Sequence, residues 1–342
     1  MTNPNPGGSS LLAKYLTPEV WEDLKDKETR YGVRLIDVIA SGLTYPESSV
    51  GVYAGDEESY TLFAPLLDPI IADYHGFDPK GRHTSDLNPA HLHAANPDPE
   101  GRYVISTRIR VARNLCCFPL GPALTRRERR IVEAAVTRAL AGLEGDLAGD
   151  YYPLYQMDAA TKERLIREHF LFKEGDRFLE AAGLGRDWPD ARGIFHNPAR
   201  TFLVWVNEED QLRIISMEPG ADLRSVFTRL ARALGELERR LTFAYSERLG
   251  YLTSCPTNLG TAMRASVHIR LPGLSRDEER LKAIAAGHGL QVRGTHGEHS
   301  KSEGAVYDVS NKRRLGITEV AAVDQLASGV SALIAAEKSL AR

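Results

Sequence analysis

Tyr60, Phe63, Leu67 and Ile70 recur at steps of three or four residues, which lines them up on one side of a helix that opens over 56–60. Two helices are expected before it. Thr17, Pro18 and Glu19 make a helix start, with proline at the first helical position, where an N–H would have no partner, and the helix continues through 20–29. A second covers 34–40 and stops near Gly42. Between the second and third, 44–51 is rich in turn formers (Pro46, Glu47, Ser48, Ser49, Gly51) and reads as a loop. The span 11–90 is therefore expected to be a small all-helical domain.

The pattern then changes. The stretch 79–101 carries Pro79, Pro89, Pro97 and Pro99, and a linker is expected at 91–101. Past it, short apolar or alternating runs predict strands at 103–111, 151–156, 201–207, 211–217, 266–271, 290–293 and 306–308. Helices are predicted over 126–141, 159–168, 222–241, 277–286 and 318–337, with Thr125 and Glu128 spaced as a capping box. The runs 201–207 and 211–217 flank a Glu208-Glu209-Asp210 turn and should form a hairpin. Strands joined in this way make an antiparallel sheet with helices packed on it, an α+β domain over 102–342.

Composition narrows the class. The chain has 342 residues, 42% hydrophobic and 26% charged, which suits an ordinary globular protein of two domains. No apolar run reaches the roughly 18–20 residues that a membrane helix needs. Residues 1–10 are rich in Pro, Gly and Ser, lack the features of a signal peptide, and read as a disordered arm. Cys116, Cys117 and Cys255 are an odd number without metal-type spacing, which points to a reduced, cytoplasmic setting and away from structural zinc. A net charge of −3 argues against nucleic acid as a partner, yet arginines gather in a few segments, as a small polyanionic ligand would require.

In a strand Ser106, Arg108 and Arg110 share one face, with Thr107 and Ile109 on the other. Two arginines side by side repel unless an anion lies between them; from this strand alone a solvated charged face explains them equally well. Arg213 follows the acidic turn, and Arg264 and Arg293 lie further on. Arg293 leads into Gly294-Thr295-His296-Gly297-Glu298-His299, which with Gly304 is expected to be a mobile loop able to close over a ligand. Cys255 stands between Ser254 and a Pro256-Thr257-Asn258 turn, whose hydroxyl and backbone donors could stabilise a thiolate.

Cys255-Pro256-Thr257-Asn258-Leu259-Gly260-Thr261 resembles the signature of the phosphagen kinases, the ATP:guanidino phosphotransferases. Ser106 to Arg110, Val206 to Asp210 and Arg293 to Glu298 resemble three more blocks of that family in its order and spacing. The resemblance implies a helical N-terminal domain, a glutamine-synthetase-like catalytic domain, and an active site between them. It implies that Arg108, Arg110, Arg213, Arg264 and Arg293 cage the ATP phosphates, with Ser106, Thr107, Ile109, Ala265, Ser266, Val267, His268, Gly294, Thr295, His296, Gly297, Glu298 and Asp308 along the nucleotide and His169 further out. Glu209, Glu298 and Cys255 would hold the guanidinium, with Arg213 beside them, and Ser49, Val50, Gly51, Val52 and Tyr53 would grip the substrate's other end.

Mg2+ would arrive with ATP or ADP, with no protein side chain as its ligand, and the protein would work as a monomer or homodimer away from nucleic acid and membranes. Glu298 and the short loop after Glu47 resemble the branch of the family that uses free L-arginine; creatine and taurocyamine are alternative acceptors. A protein-arginine kinase would lack the helical domain. Glu47 stands where Asp is common, with Arg177 its expected partner, and His296 replaces a frequent Arg.

Direct transfer of phosphate between two non-covalent substrates asks a protein for alignment and charge compensation rather than a nucleophile. Arginines supply planar donors for phosphate oxygens. Two carboxylates suit a guanidinium and can accept the proton it loses as the N–P bond forms.

Overall fold

The computed structural model describes residues 4, 7–78, 80–294 and 304–340. Five helices come first: α1 (Leu11–Tyr15), α2 (Pro18–Leu24), α3 (Leu35–Thr44), α4 (Ser59–Leu62) and α5 (Ala64–His75). Thr17 caps α2, its side chain accepting from Val20 N, with Pro18 at the first position as expected. α2 is shorter than expected, because the chain turns at 29–33, where Thr29 N donates to Val33 O. The predicted third helix is broken at Phe63 because Pro65, at the start of α5, has no N–H to bond the Thr61 carbonyl four residues back and its ring crowds that carbonyl. α1 was not expected. Its N-cap, Ser10, is buried and accepts from Ala13 N, so the supposed disordered arm is ordered at its last residue; residues 1–3, 5 and 6 lie outside the described residues.

α3 runs to Thr44 and so ends, as expected, near Gly42. Glycine there serves close approach: a Cβ would lie 2.5 Å from Gly51 O and 2.6 Å from a Leu12 methyl. Gly51 itself sits at φ 83 and takes a hydrogen bond from Gly42 N. Gly42→Val is therefore expected to cost roughly 1–3 kcal/mol of overpacking and to lower the melting temperature; an unchanged melt would mean that helix and loop are not in contact.

Among the described residues, ten strands and six further α-helices follow: β1 (Val104–Arg113), α6 (Arg126–Leu140), β2 (Asp150–Pro153), α7 (Ala159–Arg167), α8 (Arg177–Ala181), β3 (Gly193–His196), β4 (Phe202–Val206), β5 (Leu212–Pro219), α9 (Leu223–Glu238), β6 (Tyr245–Ser246), β7 (Gly250–Tyr251), β8 (Met263–Arg270), α10 (Glu278–Gly287), β9 (Leu290–Gly294), β10 (Val306–Asn311) and α11 (Glu319–Leu340). Eight strands form one antiparallel sheet in the order β2-β3-β4-β5-β1-β8-β10-β9; β6 and β7 pair separately. β4 and β5 make the expected hairpin. β3 was not foreseen: Ile194 and Phe195 are too short an apolar run to signal a strand, and pairing with β2 and β4 decides it.

The two faces of the sheet differ. On one, Thr107, Ile109, Val111, Ile214, Ala265, Val267 and Val309 are buried, and all but Thr107 join the main apolar core with the helices. α9 lays Val226, Phe227, Leu230, Ala233, Leu234 and Leu237 there at helical spacing. α11 is the one described helix long and apolar enough by composition to cross a membrane, but it packs Val323, Leu326, Val330 and Leu333 into this same core. On the other face Ile194, Leu203, Trp205 and Ile215 are covered by Leu154, Leu165, Leu171 and Phe172. The central strands of that face carry the arginines.

The helical domain is not closed on itself. Its core of Leu12, Trp21, Leu35, Ile39, Phe63 and Ile70 is completed by Leu120, Leu249, Leu252, Leu259 and Leu315. Glu47 pairs with Arg177 at 3.0 Å across the boundary, as the sequence predicts. Both side chains are half-exposed, so the pair contributes at most about 1 kcal/mol.

Candidate active site

Register places the arginines together. Arg110 in β1 lies opposite Arg264 in β8, and Arg213 in β5 lies opposite Ala112, the next residue on Arg110's face. Arg108 is opposite Ser266, Ser106 opposite His268, and His268 opposite Asp308, which is opposite Arg293. Alternation then puts Arg108, Arg110, Arg213, Arg264, His268, Asp308 and Arg293 on one face. Arg110, Arg213, Arg264 and Arg314 line one pocket with Asn258.

These guanidiniums are crowded and short of acceptors. Arg108 Nε and Nη2, Arg264 Nε and Arg314 Nε are buried without a hydrogen-bond partner. Buried donors are nearly always satisfied, so a convergent set that is not is suited to an oxygen-rich anion. Burial first, and the Arg264 charge next, push Arg108 down to about 10. Burial followed by Arg213, Arg264 and Arg108 holds Arg110 well below the usual arginine range. Arg264 Nη2 donates to Asp308 Oδ2 at 2.9 Å, and the Arg108 guanidinium stands 5.1 Å from the Trp205 ring. His268 is lowered by burial, partly offset by Asp308.

Beside this cluster stands the acidic turn between β4 and β5. Arg213 bonds Glu208 (2.8 Å) and Glu209. Burial opposes its charge, but the Glu208, Glu209 and Asp210 carboxylates more than compensate, and Arg213 is held above its ordinary value. Glu209 is nevertheless raised to about 7, because burial outweighs the Arg213 charge and the Asp210 and Glu208 carboxylates add to it. Asn258 Nδ2 donates to Glu209 Oε1 at 3.1 Å, and Ser254 N donates to Asp210 Oδ1 at 2.9 Å. The turn that carries Cys255 is thereby fastened to Glu209.

Cys255 is buried, with its Sγ 3.1 Å from Thr257 Oγ1. Burial and a neighbouring carboxylate oppose the expected thiolate in the free protein. Burial, then the Glu209 carboxylate, push the thiol up to about 12, and the Thr257 hydrogen bonds offset only part of this. A further cation placed between sulfur and carboxylate would favour the ionised form of both.

The helical domain reaches this point. Ala54 N donates to Ser254 O (2.7 Å), Tyr60 OH to Thr253 O (2.7 Å), and His75 Nε2 meets Pro256 O (2.9 Å). Tyr53 is raised by burial and then by the nearby Cys255 and Glu209, which puts it at the site. Ser49 is exposed and Gly51 makes the bend. Val50 and Val52 are a correction: both side chains pack into the helical core.

Further corrections come from the two-residue period of strands. Thr107, Ile109, Ala265 and Val267 face away from the arginines, buried on the opposite side of the sheet, so their side chains do not meet a nucleotide there. Gly294 ends β9 opposite Tyr307. His169 is exposed, next to Phe170, whose carbonyl accepts from Trp205 Nε1 (2.7 Å) at the edge of the arginine face. Thr295, His296, Gly297 and Glu298 lie outside the described residues.

Arg314, Asn258, Glu208 and Asp210 were not among the expected site residues. Arg314 donates to Thr257 O (3.0 Å) and to the Asn258 side chain, which joins the arginine cluster to Glu209 through Asn258. Its sequence context, Lys312-Arg313-Arg314, is indistinguishable from a basic surface run. Among the described residues no group of three or more His, Cys, Asp or Glu side chains could hold a metal ion.

The sequence model of the ATP:guanido phosphotransferase C-terminal catalytic domain matches residues 131–340, and that of the N-terminal domain matches 7–72. An arginine kinase of Anthopleura japonica is 56% identical over 98% of this chain and 47% of its own length. One of Penaeus vannamei is 54% identical over 97% of this chain and 93% of its own. This chain thus spans about half of the first and most of the second. A crystal structure of a lombricine kinase superposes with a TM-score of 0.92 at 40% identity, covering 98% of this chain and 93% of that one. The duplicated taurocyamine kinase from Schistosoma mansoni, with bound transition state analogue components, gives 0.91 at 41% identity over 97% and 46%.

Proposed function

The chain belongs to the ATP:guanido phosphotransferase family, and from that membership we propose that it moves the γ-phosphate of ATP reversibly onto the guanidinium of free L-arginine, giving phosphoarginine and ADP. The observation that carries this reading is the contact between two opposite fields: a buried arginine cluster on β1, β5 and β8, and the Glu209–Cys255 pair against its edge.

Arg108, Arg110, Arg264 and Arg293 bind the phosphates and offset the charge spread over them in the transition state. Arg213 sits between the two fields, bonded to Glu208 and Glu209. Glu209 orients the acceptor nitrogen and takes its proton, with a pKa of about 7 suited to accepting it near neutral pH. Cys255 contributes electrostatically once the guanidinium is in place, its proton leaving as the cation enters. Glu298 is assigned the second carboxylate contact by family motif. As part of a Mg–ATP substrate, Mg2+ would supply charge neutralisation at the phosphate oxygens that the arginines bind. Tyr53 and the bend at Gly51 meet the amino-acid end of the substrate. Three free cysteines support a cytoplasmic setting.

The relatives quoted divide between arginine, lombricine and taurocyamine as acceptors, which makes the acceptor the point to test. Purified protein with Mg-ATP is offered free L-arginine, lombricine, taurocyamine, creatine and an arginine-rich protein in parallel, with ADP release and 31P NMR as readouts. Arginine is expected to turn over fastest and phosphoarginine with ADP to run the reaction back. Faster turnover of another small guanidine would overturn the acceptor alone; activity on the protein alone would overturn the small-molecule reading.

A further inference from the structure

Cys116 and Cys117 have no part in phosphoryl transfer. They follow β1 in the segment that crosses between the two cores. Successive side chains of an extended chain point apart, but Cys117 adopts φ 68, and the two Sγ atoms come to 3.2 Å. A left-handed conformation is uncommon for a residue with a side chain and persists where the surroundings hold it. Here the anchors are plain: Cys116 N donates to Thr242 O (2.9 Å), Tyr31 OH to Cys117 O (3.0 Å), Gln211 Nε2 to Pro119 O (2.9 Å) and Leu120 N to Gly55 O (2.8 Å). Cys117 is exposed and Cys116 half-buried, so the pair opens to solvent.

We propose that Cys116 and Cys117 form a two-thiol modification site that takes a thiophilic centre able to bond both sulfurs at once, of the class of trivalent arsenicals. Direct oxidation fits the geometry less well. Adjacent Cα atoms are about 3.8 Å apart, short of the roughly 4.4–6.8 Å that disulfides usually span, and an S–S bond of about 2.04 Å would draw the sulfurs well inward. A bridging atom leaves them near their present separation. Sulfur ligands select soft centres, and the second bond forms intramolecularly, which resists competing single thiols. The Cys116–Cys117 hydrogen bond, and then burial, push Cys116 up to about 11, so Cys116 meets the arsenical as a thiol. With phenylarsine oxide the balance closes without electron transfer: two As–S bonds form, the As–O bond breaks, and the two thiol protons leave on that oxygen as water.

The test is intact-mass analysis of the full chain after phenylarsine oxide treatment. One phenylarsenic adduct is expected that persists in excess 2-mercaptoethanol and is stripped by 2,3-dimercaptopropanol. Cys116→Ser and Cys117→Ser, each checked for fold by circular dichroism, should lose the resistant adduct, and Cys255→Ala should keep it. Peptide mapping of the unmutated protein, which needs no variant to fold, should locate arsenic on the 116–117 peptide. No adduct, an adduct that washes out with the single thiol, one that survives in either serine variant, or one mapping elsewhere would each overturn the proposal.

Discussion

Glu209→Gln is expected to lower turnover about 10²–10⁴-fold, the range that a positioned proton acceptor supplies. Arg213 and Asn258 each donate to a different carboxylate oxygen in the parent, so the amide keeps the side chain's shape but can accept from only one of them. The pH dependence should change as well. Glu209 is raised to about 7 by burial, so kcat/KM of the parent, which reports free-enzyme groups, should rise through about pH 7, and that limb should be missing in the variant.

Stability should move the other way. A carboxyl whose folded pKa lies above its unfolded one binds its proton more tightly in the folded chain. The stability it contributes is complete below the unfolded value and is lost as pH rises through the folded one. The variant lacks this dependence, so its melting temperature should exceed the parent's by more at about pH 8 than at about pH 5. Initial rates and thermal melts decide both halves; unchanged turnover would remove Glu209 from the chemistry.

Arg110→Met should raise the melting temperature of the ligand-free protein and cut turnover about 10²–10³-fold, as expected for removing one donor aimed at transition-state charge. Arg110 stands opposite Arg264, and its charge is disfavoured by burial and then by Arg213, Arg264, Arg108 and Arg314. A flexible apolar chain of similar length relieves that repulsion. The repulsion is what nucleotide binding offsets, so the gain in melting temperature on adding ATP should shrink in the variant; a ligand at 100 times its Kd stabilises by about 2.7 kcal/mol in a protein that binds it fully. An arginine with a merely structural role would lose stability and activity together. A lower melt for the ligand-free variant would show that the cluster is not under charge stress.

Both variants are expected to exchange function for stability, because burial and neighbouring like charges oppose the ionised groups that they remove. The same logic accounts for Cys255. Its local turn suggested a thiolate, since sequence shows the nearby donors, Thr257 among them. What sequence cannot show is that the thiol is enclosed and beside a carboxylate, and enclosure wins.

The chain's order of residues determined by itself that there is a helical unit followed by an antiparallel sheet, because periods of three to four and of two are local signals set by backbone geometry. It determined that Arg108 and Arg110 share a face, whereas Glu209 and Cys255 stood out through the resemblance of their blocks to a known family. Tertiary structure alone decided which residues the arginines meet. Arg314 joins the cluster and the Val50 and Val52 side chains turn into the helical core because register between distant strands and the packing of one core against another are non-local quantities. Nothing within a few residues of Arg314 distinguishes it from Arg313; the difference is made by the Cys255 turn, some sixty positions earlier in the chain, folding back to accept its hydrogen bonds.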